Sequence, residues 1–112
     1  MSDKAEARLM ELRADSEEFS KAHAARIHLD EFKKSKLAIL MKRAETEGHK
    51  TAAAQEREAR SDPEYIQLLE DLKTATEISE RLRWRLEVAK LGVAVWQTSQ
   101  ANERAERRAY GA

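Results

Sequence analysis

Metal chemistry is the first possibility the sequence raises, through His23, His28 and His49. A helical zinc pair needs histidines three or four positions apart, so that both imidazoles leave the same face. His23 and His28 are spaced too widely for that. A carboxylate-bridged di-iron bundle needs Glu-x-x-His from two helices, and the sequence has no such motif. His28-Leu29-Asp30-Glu31 offers only an isolated His-x-x-Glu, so no metal site is expected. Nucleophilic chemistry fares no better. There is no cysteine and no Gly-x-Ser-x-Gly, and the glycines are isolated, so they cannot line a phosphate cradle. No catalytic residue, cofactor or small-molecule substrate is expected, and the chain reads as a non-enzyme.

Nucleic-acid chemistry has better raw material. Lys33, Lys34 and Lys36 lead into Lys42-Arg43, and Arg81, Arg83 and Arg85 interleave with Trp84. Arg104, Arg107 and Arg108 add a third cluster. Neutralising phosphates and stacking bases both call for such residues. Against this, 21 basic residues meet 21 acidic ones, and every basic cluster has acidic neighbours. Contact with nucleic acid through Lys33, Lys34, Lys36, Arg81, Arg83 and Arg85 is therefore the alternative reading, with a solvated coiled-coil face as the preferred one.

The elements that would position these residues are helical. Ala, Glu, Lys, Leu and Arg make up about 60% of the chain, a composition typical of long helices and coiled coils. With 3 glycines and 1 proline there is too little punctuation for a sandwich, a barrel or a βαβ fold. Two breaks stand out. Gly48 after a charged run suits the left-handed C′ position of a helix, and Thr51 can cap the next one. Asp62-Pro63-Glu64 then reads as N-cap, N1 and an acidic first turn. The predicted layout is a helix over roughly 3–47, a short helix over 51–60 and a helix over 63–109. A kink near Asp15-Ser16 and fraying from Arg104 to Ala112 are also expected.

Neither long helix can bury its apolar stripe alone. The expected fold is all-α, a long antiparallel coiled-coil-like hairpin of one domain over 1–112, with the short helix at the connection. Steps of three and four pick out Tyr65, Leu68, Leu72, Ala75, Ser79, Leu82, Leu86, Ala89, Val93 and Trp96 as the seam of the last helix. On the first helix Leu9, Leu12, Phe19, Ala22, Ala25, Leu29, Phe32 and Ile39 approximate one face, widened by Leu37, Leu40, Met41 and Ala44. Lys36 interrupts that face and is expected to snorkel. Glu17–Lys21, Asp30–Lys34, Glu56–Arg60, Glu77–Arg81 and Glu103–Arg107 are spaced for ion pairs on solvated faces.

Trp84, Val88, Leu91 and Val95 form a second apolar stripe on the far side of the last helix. One hairpin partner covers one face, so a second stripe implies a second cover. The simplest is another copy, giving a four-helix dimer with these residues as the oligomer or partner interface. Gly92, in mid-helix, is expected to permit a close backbone contact there.

Several segments resemble a known group. They are Phe32-Lys33-Lys34-Ser35-Lys36-Leu37-Ala38, the run from Gly48-His49-Lys50-Thr51 to Glu58-Ala59, Asp62-Pro63-Glu64-Tyr65, Arg81-Leu82-Arg83-Trp84, and the run from Val95-Trp96-Gln97 to Arg104-Ala105. Together they resemble small helical phage and prophage proteins of uncharacterised function, often encoded beside recombination or replication genes. The likeness covers roughly residues 25 to 108 and carries no catalytic residue. It implies an adaptor or accessory protein that contacts a phage or host protein in DNA recombination or replication. No apolar run reaches the ~18 residues of a membrane span. The N-terminus lacks the apolar core of a secretory signal, and no lipidation motif ends the chain, so a cytoplasmic location without membrane contact is expected.

Overall fold

The computed structural model describes residues 3–111. Met1, Ser2 and Ala112, which the one-domain reading and the fraying tail include, lie outside the described residues. Three helices follow one another: α1 (Asp3–Thr46), α2 (Ala52–Ser61) and α3 (Pro63–Ala109). There is no strand among the described residues. The chain divides into two compact units. One is Phe19–Glu80, and the other consists of the described residues on either side of it.

In the unit Phe19–Glu80 the turns are set by local chemistry. Gly48 has a φ of 108°, a left-handed conformation that any Cβ would strain. Its N–H donates to the Glu45 carbonyl at 3.1 Å, and the His49 N–H donates to the Ala44 carbonyl at 3.0 Å. This pair of bonds is a Schellman ending, which satisfies carbonyls the helix would otherwise leave orphaned. The Gln55 side-chain amide donates to the His49 carbonyl at 2.9 Å, which fastens the turn to α2. The Thr51 hydroxyl accepts from the Ala54 N–H at 3.1 Å, and this bond caps α2.

A single residue, Asp62, joins α2 to α3. Its backbone is extended (φ −64°, ψ 132°), as the clash with the following proline ring requires, and that ends α2. The Asp62 carboxylate accepts from the Glu64 N–H at 2.8 Å, and its carbonyl accepts from Tyr65 and Ile66 at 3.0 Å each. Asp62 thus closes one helix and caps the next.

Leu40, Ala59 and Tyr65 form the buried core of this unit, one residue from each helix, with Leu37 and Met41 packed against them. Ala44, Leu68 and Ser79 are also buried. Arg26 Nη1 lies 3.1 Å from Glu80 Oε1 and Arg43 Nη1 lies 2.6 Å from Glu64 Oε2. Early α1 residues meet late α3 residues, so the two segments run antiparallel.

The second unit has two helical segments and no third element. Arg85 Nη2 reaches Asp15 Oδ1 at 3.1 Å, again an antiparallel register. Leu86 is its one buried hydrophobic residue among those described. Leu82, Ala89 and Val93 are half-buried beside it.

The seam of α3 follows the predicted steps as far as Val93. Trp96, expected to close it, is 46% exposed. The α1 face needs correction. Leu9, Ala25, Phe32 and Ile39 are exposed, and the positions turned inward include Leu12, Asp15, Phe19, Ala22, Arg26, Leu29, Lys33, Lys36, Leu37, Leu40, Met41 and Ala44. Strict alternation of three- and four-residue steps from Leu12 lands on Arg26, Lys33 and Lys36, and leaves Phe32 and Ile39 to one side. No break occurs near Asp15-Ser16: α1 is continuous there, and the Ser16 hydroxyl donates back to the Leu12 carbonyl at 2.8 Å. Over the described part of the tail expected to fray, α3 runs to Ala109 and the Tyr110 N–H donates to the Glu106 carbonyl at 3.0 Å.

Candidate interaction surface

Trp84, Val88, Leu91 and Val95 project from α3 and are 59%, 66%, 66% and 69% exposed. They recur at four, three and four residues, and at 100° per residue this stripe lies opposite Leu82, Leu86, Ala89 and Val93. Exposure of isolated apolar residues is ordinary, but four in register along three turns form a continuous face. The face runs on into a shallow groove of about 540 Å³ along α3, lined by Leu91, Val95, Thr98, Asn102 and Glu106 among others. Arg83 lies over the Trp84 ring, with its guanidinium carbon 4.9 Å from the ring centroid. From Leu91 to Asn102 the chain carries no charge, although 38% of its residues are charged overall.

Gly92 sits within this uncharged stretch. A Cβ built there would meet nothing within 4 Å, so the glycine serves no close contact inside the chain. The expected close approach is not found within one copy.

The other residues raised by the sequence are held differently. Lys33 Nζ lies 3.6 Å from Asp30 Oδ1, and Lys34 Nζ lies 3.3 Å from Glu31 Oε1. Lys34 therefore turns to Glu31 rather than to Asp30. Lys36 is largely covered, as its snorkelling position implies, and its amine lies 3.5 Å from Glu64 Oε1. Arg81, Arg83 and Arg85 are exposed, and Arg85 is engaged with Asp15. The basic positions are thus interleaved with carboxylates and divided between the two units. His23 stacks on Phe19 with ring centroids 5.5 Å apart, and His28 stacks on Phe32 at 6.1 Å. No group of metal-ligating side chains converges among the described residues. No helix among them is long and apolar enough to cross a membrane.

One ionic cluster escaped the sequence reading. Glu64, in the first turn of α3, accepts a 2.6 Å hydrogen bond from Arg43 and faces Lys36 across it. The Arg43 hydrogen bond, then the Arg43 charge and then the Lys36 charge hold the Glu64 carboxyl below its ordinary value. The same contact pushes the Arg43 guanidinium up. The inward position of Lys36 was a usable signal, since an amine beside a seam seeks a carboxylate on the opposing helix.

A third feature lies in the two-helix unit, where the seam opens beside Trp96. A cavity of about 290 Å³ is lined there by Lys4, Ala5, Arg8, Leu9, Val93 and Trp96 among others.

Comparisons of the chain with family models, with curated proteins and with solved structures give no match.

Proposed function

We propose that this chain is a non-catalytic helical adaptor that works as a two-fold dimer, with Trp84, Val88, Leu91 and Val95 as the contact between copies. The observation that carries this reading is the exposure of all four side chains, each above half, on the side of α3 away from its seam. Fully burying each would contribute roughly 1.5–3 kcal/mol before the costs of association. A two-fold pair is the simplest cover, because the same patch can meet itself. Four helical segments would then surround a core that two segments cannot enclose. The adaptor role, in which the dimer contacts a phage or host protein during DNA recombination or replication, rests on the resemblance to small phage proteins.

Sedimentation of the wild type against Val88→Glu/Leu91→Glu tests the dimer. Both positions are exposed, so the variant should keep its helix content and sediment as a monomer. A wild type that is already monomeric at ~100 μM, well above the Kd of a stable complex, would end this reading.

A further inference from the structure

We propose that the cavity beside Trp96 binds a small aromatic carboxylate. At 100° per residue its α3 wall, Val93, Trp96 and Gln97, lies across the helix from the Trp84 stripe, so the site is independent of the dimer. Elsewhere the two long helices exchange ion pairs. Arg26 reaches Glu80, Lys36 and Arg43 reach Glu64, and Arg85 reaches Asp15. Lys4 and Arg8 break that pattern, since neither pairs with a carboxylate among the described residues. The reason lies in α3, which lines the cavity opposite them from the stretch Leu91 to Asn102, where the chain carries no charge. Glu11, one turn past Arg8, lines the adjoining groove instead.

The lining comes from one face of each helix and from a single compact unit. Lys4 and Arg8 leave α1 one turn apart, and so do Ala5 and Leu9. Ala5, Leu9, Val93 and Trp96 supply apolar walls, and Leu9 and Trp96 are each 46% exposed, so an occupant has surface to cover. The polar lining is the Lys4 ammonium, the Arg8 guanidinium and the Gln97 amide, with no carboxylate among it. Pockets for small molecules share this build: apolar walls and a few polar groups that fix orientation. The chemistry calls for an apolar body with an anionic head. A guanidinium fork matches a carboxylate, and the Trp96 indole offers a flat face to a ring. The volume of about 290 Å³ holds about ten waters, which is room for one or two fused rings and too little for a helix. A bound carboxylate supplies the ion pair that α3 does not.

Titration of the isotope-labelled protein with naphthoate, followed by NMR, tests this. The chain has two tryptophans, Trp84 and Trp96, so the indole N–H signals provide a probe and a control. The Trp96 signal should move and saturate with a Kd of about 1 mM or below, while the Trp84 signal stays in place. Naphthamide, neutral and of the same shape, should bind about tenfold more weakly. Arg8→Gln should weaken naphthoate by a similar factor; Arg8 is exposed, so the variant should keep its helix content. Equal affinity for naphthoate and naphthamide overturns the carboxylate site and leaves an apolar cleft. Equal movement of both indoles means adsorption to exposed apolar surface, which overturns it too. A Trp96 signal that ignores naphthoate and moves with protein concentration assigns the cavity to a second copy instead. One that responds to neither leaves the cavity without an occupant and overturns the proposal. The Trp84 dimer is read separately, by sedimentation.

Discussion

The unit Phe19–Glu80 and the unit that flanks it are built from the same two long helices, yet they bury very different amounts. The first has a third element. α2 brings Ala59 onto Leu40 and Tyr65, and these three are among the most covered side chains of the chain, at 1%, 2% and 4% exposure. The second has only a pair of helical segments, and its best-covered hydrophobic residue, Leu86, retains 8%. Two helices present one seam to each other and leave their remaining faces in water. The difference is one of geometry more than of composition, since Trp84, Val88, Leu91, Val95 and Trp96 make the second unit at least as apolar. A third element completes the first unit from within; the second has the apolar residues for a core and no element to lay over them.

The largest test of this contrast is Leu40→Ala against Leu91→Ala. Leu40 is 2% exposed between three helices, so its truncation should cost about 2–5 kcal/mol, read from denaturant midpoints. Leu91 is 66% exposed, and in a dilute sample held monomeric its truncation should stay within about 0.5 kcal/mol. A cost at Leu91 equal to that at Leu40 under monomeric conditions would mean the stripe is already covered within the chain.

The next effect concerns the turns that create the third element. Gly48→Ala places a Cβ at a φ of 108° and should cost about 1–2 kcal/mol. Thr51→Ala removes the cap on the Ala54 N–H and should cost about 1 kcal/mol. Both should lower the thermal midpoint. A Gly48→Ala protein with an unchanged midpoint would show that the Schellman turn is not what fixes α2.

The sequence was readable wherever a local rule acts alone. Gly48, Thr51 and Asp62-Pro63 each impose a backbone state through their own atoms, and the three helices begin and end within a residue or so of the expected positions. The α3 seam was readable because its three- and four-residue steps from Tyr65 to Val93 meet no charged residue, with only the small Ala75, Ser79 and Ala89 among larger apolar ones. The α1 face was not, because Arg26, Lys33 and Lys36 occupy inward positions while Phe32 and Ile39 lie outside. An inward arginine is stabilised by a partner such as Glu80, far away in the sequence, and no local pattern announces such a pair. The exposed stripe was visible as a second periodicity on α3. The ionic cluster at Glu64 was not, since its members come from different helices and are joined only by the fold.

The smallest expected effect is the pH response of that cluster, which belongs to the well-covered unit and has no counterpart described in the other. The Glu64 carboxyl is lowered first by its hydrogen bond from Arg43, and then by the charges of Arg43 and Lys36. A carboxyl lowered in the folded state binds its proton less readily there than in the unfolded chain. Its contribution to stability is therefore present above the ordinary carboxylate value of about 4.3. That contribution is lost as pH falls through the lowered folded value. Solvent screens this exposed pair, so the effect should be small and should shrink further in high salt. Glu64→Gln keeps the shape of the side chain and removes the titration. Thermal midpoints of the two proteins should differ at pH 7 and converge as pH drops below the ordinary carboxylate range. A difference that stays constant down to strongly acidic pH would show that Glu64 stabilises the start of α3 by packing alone, without the Arg43 charge.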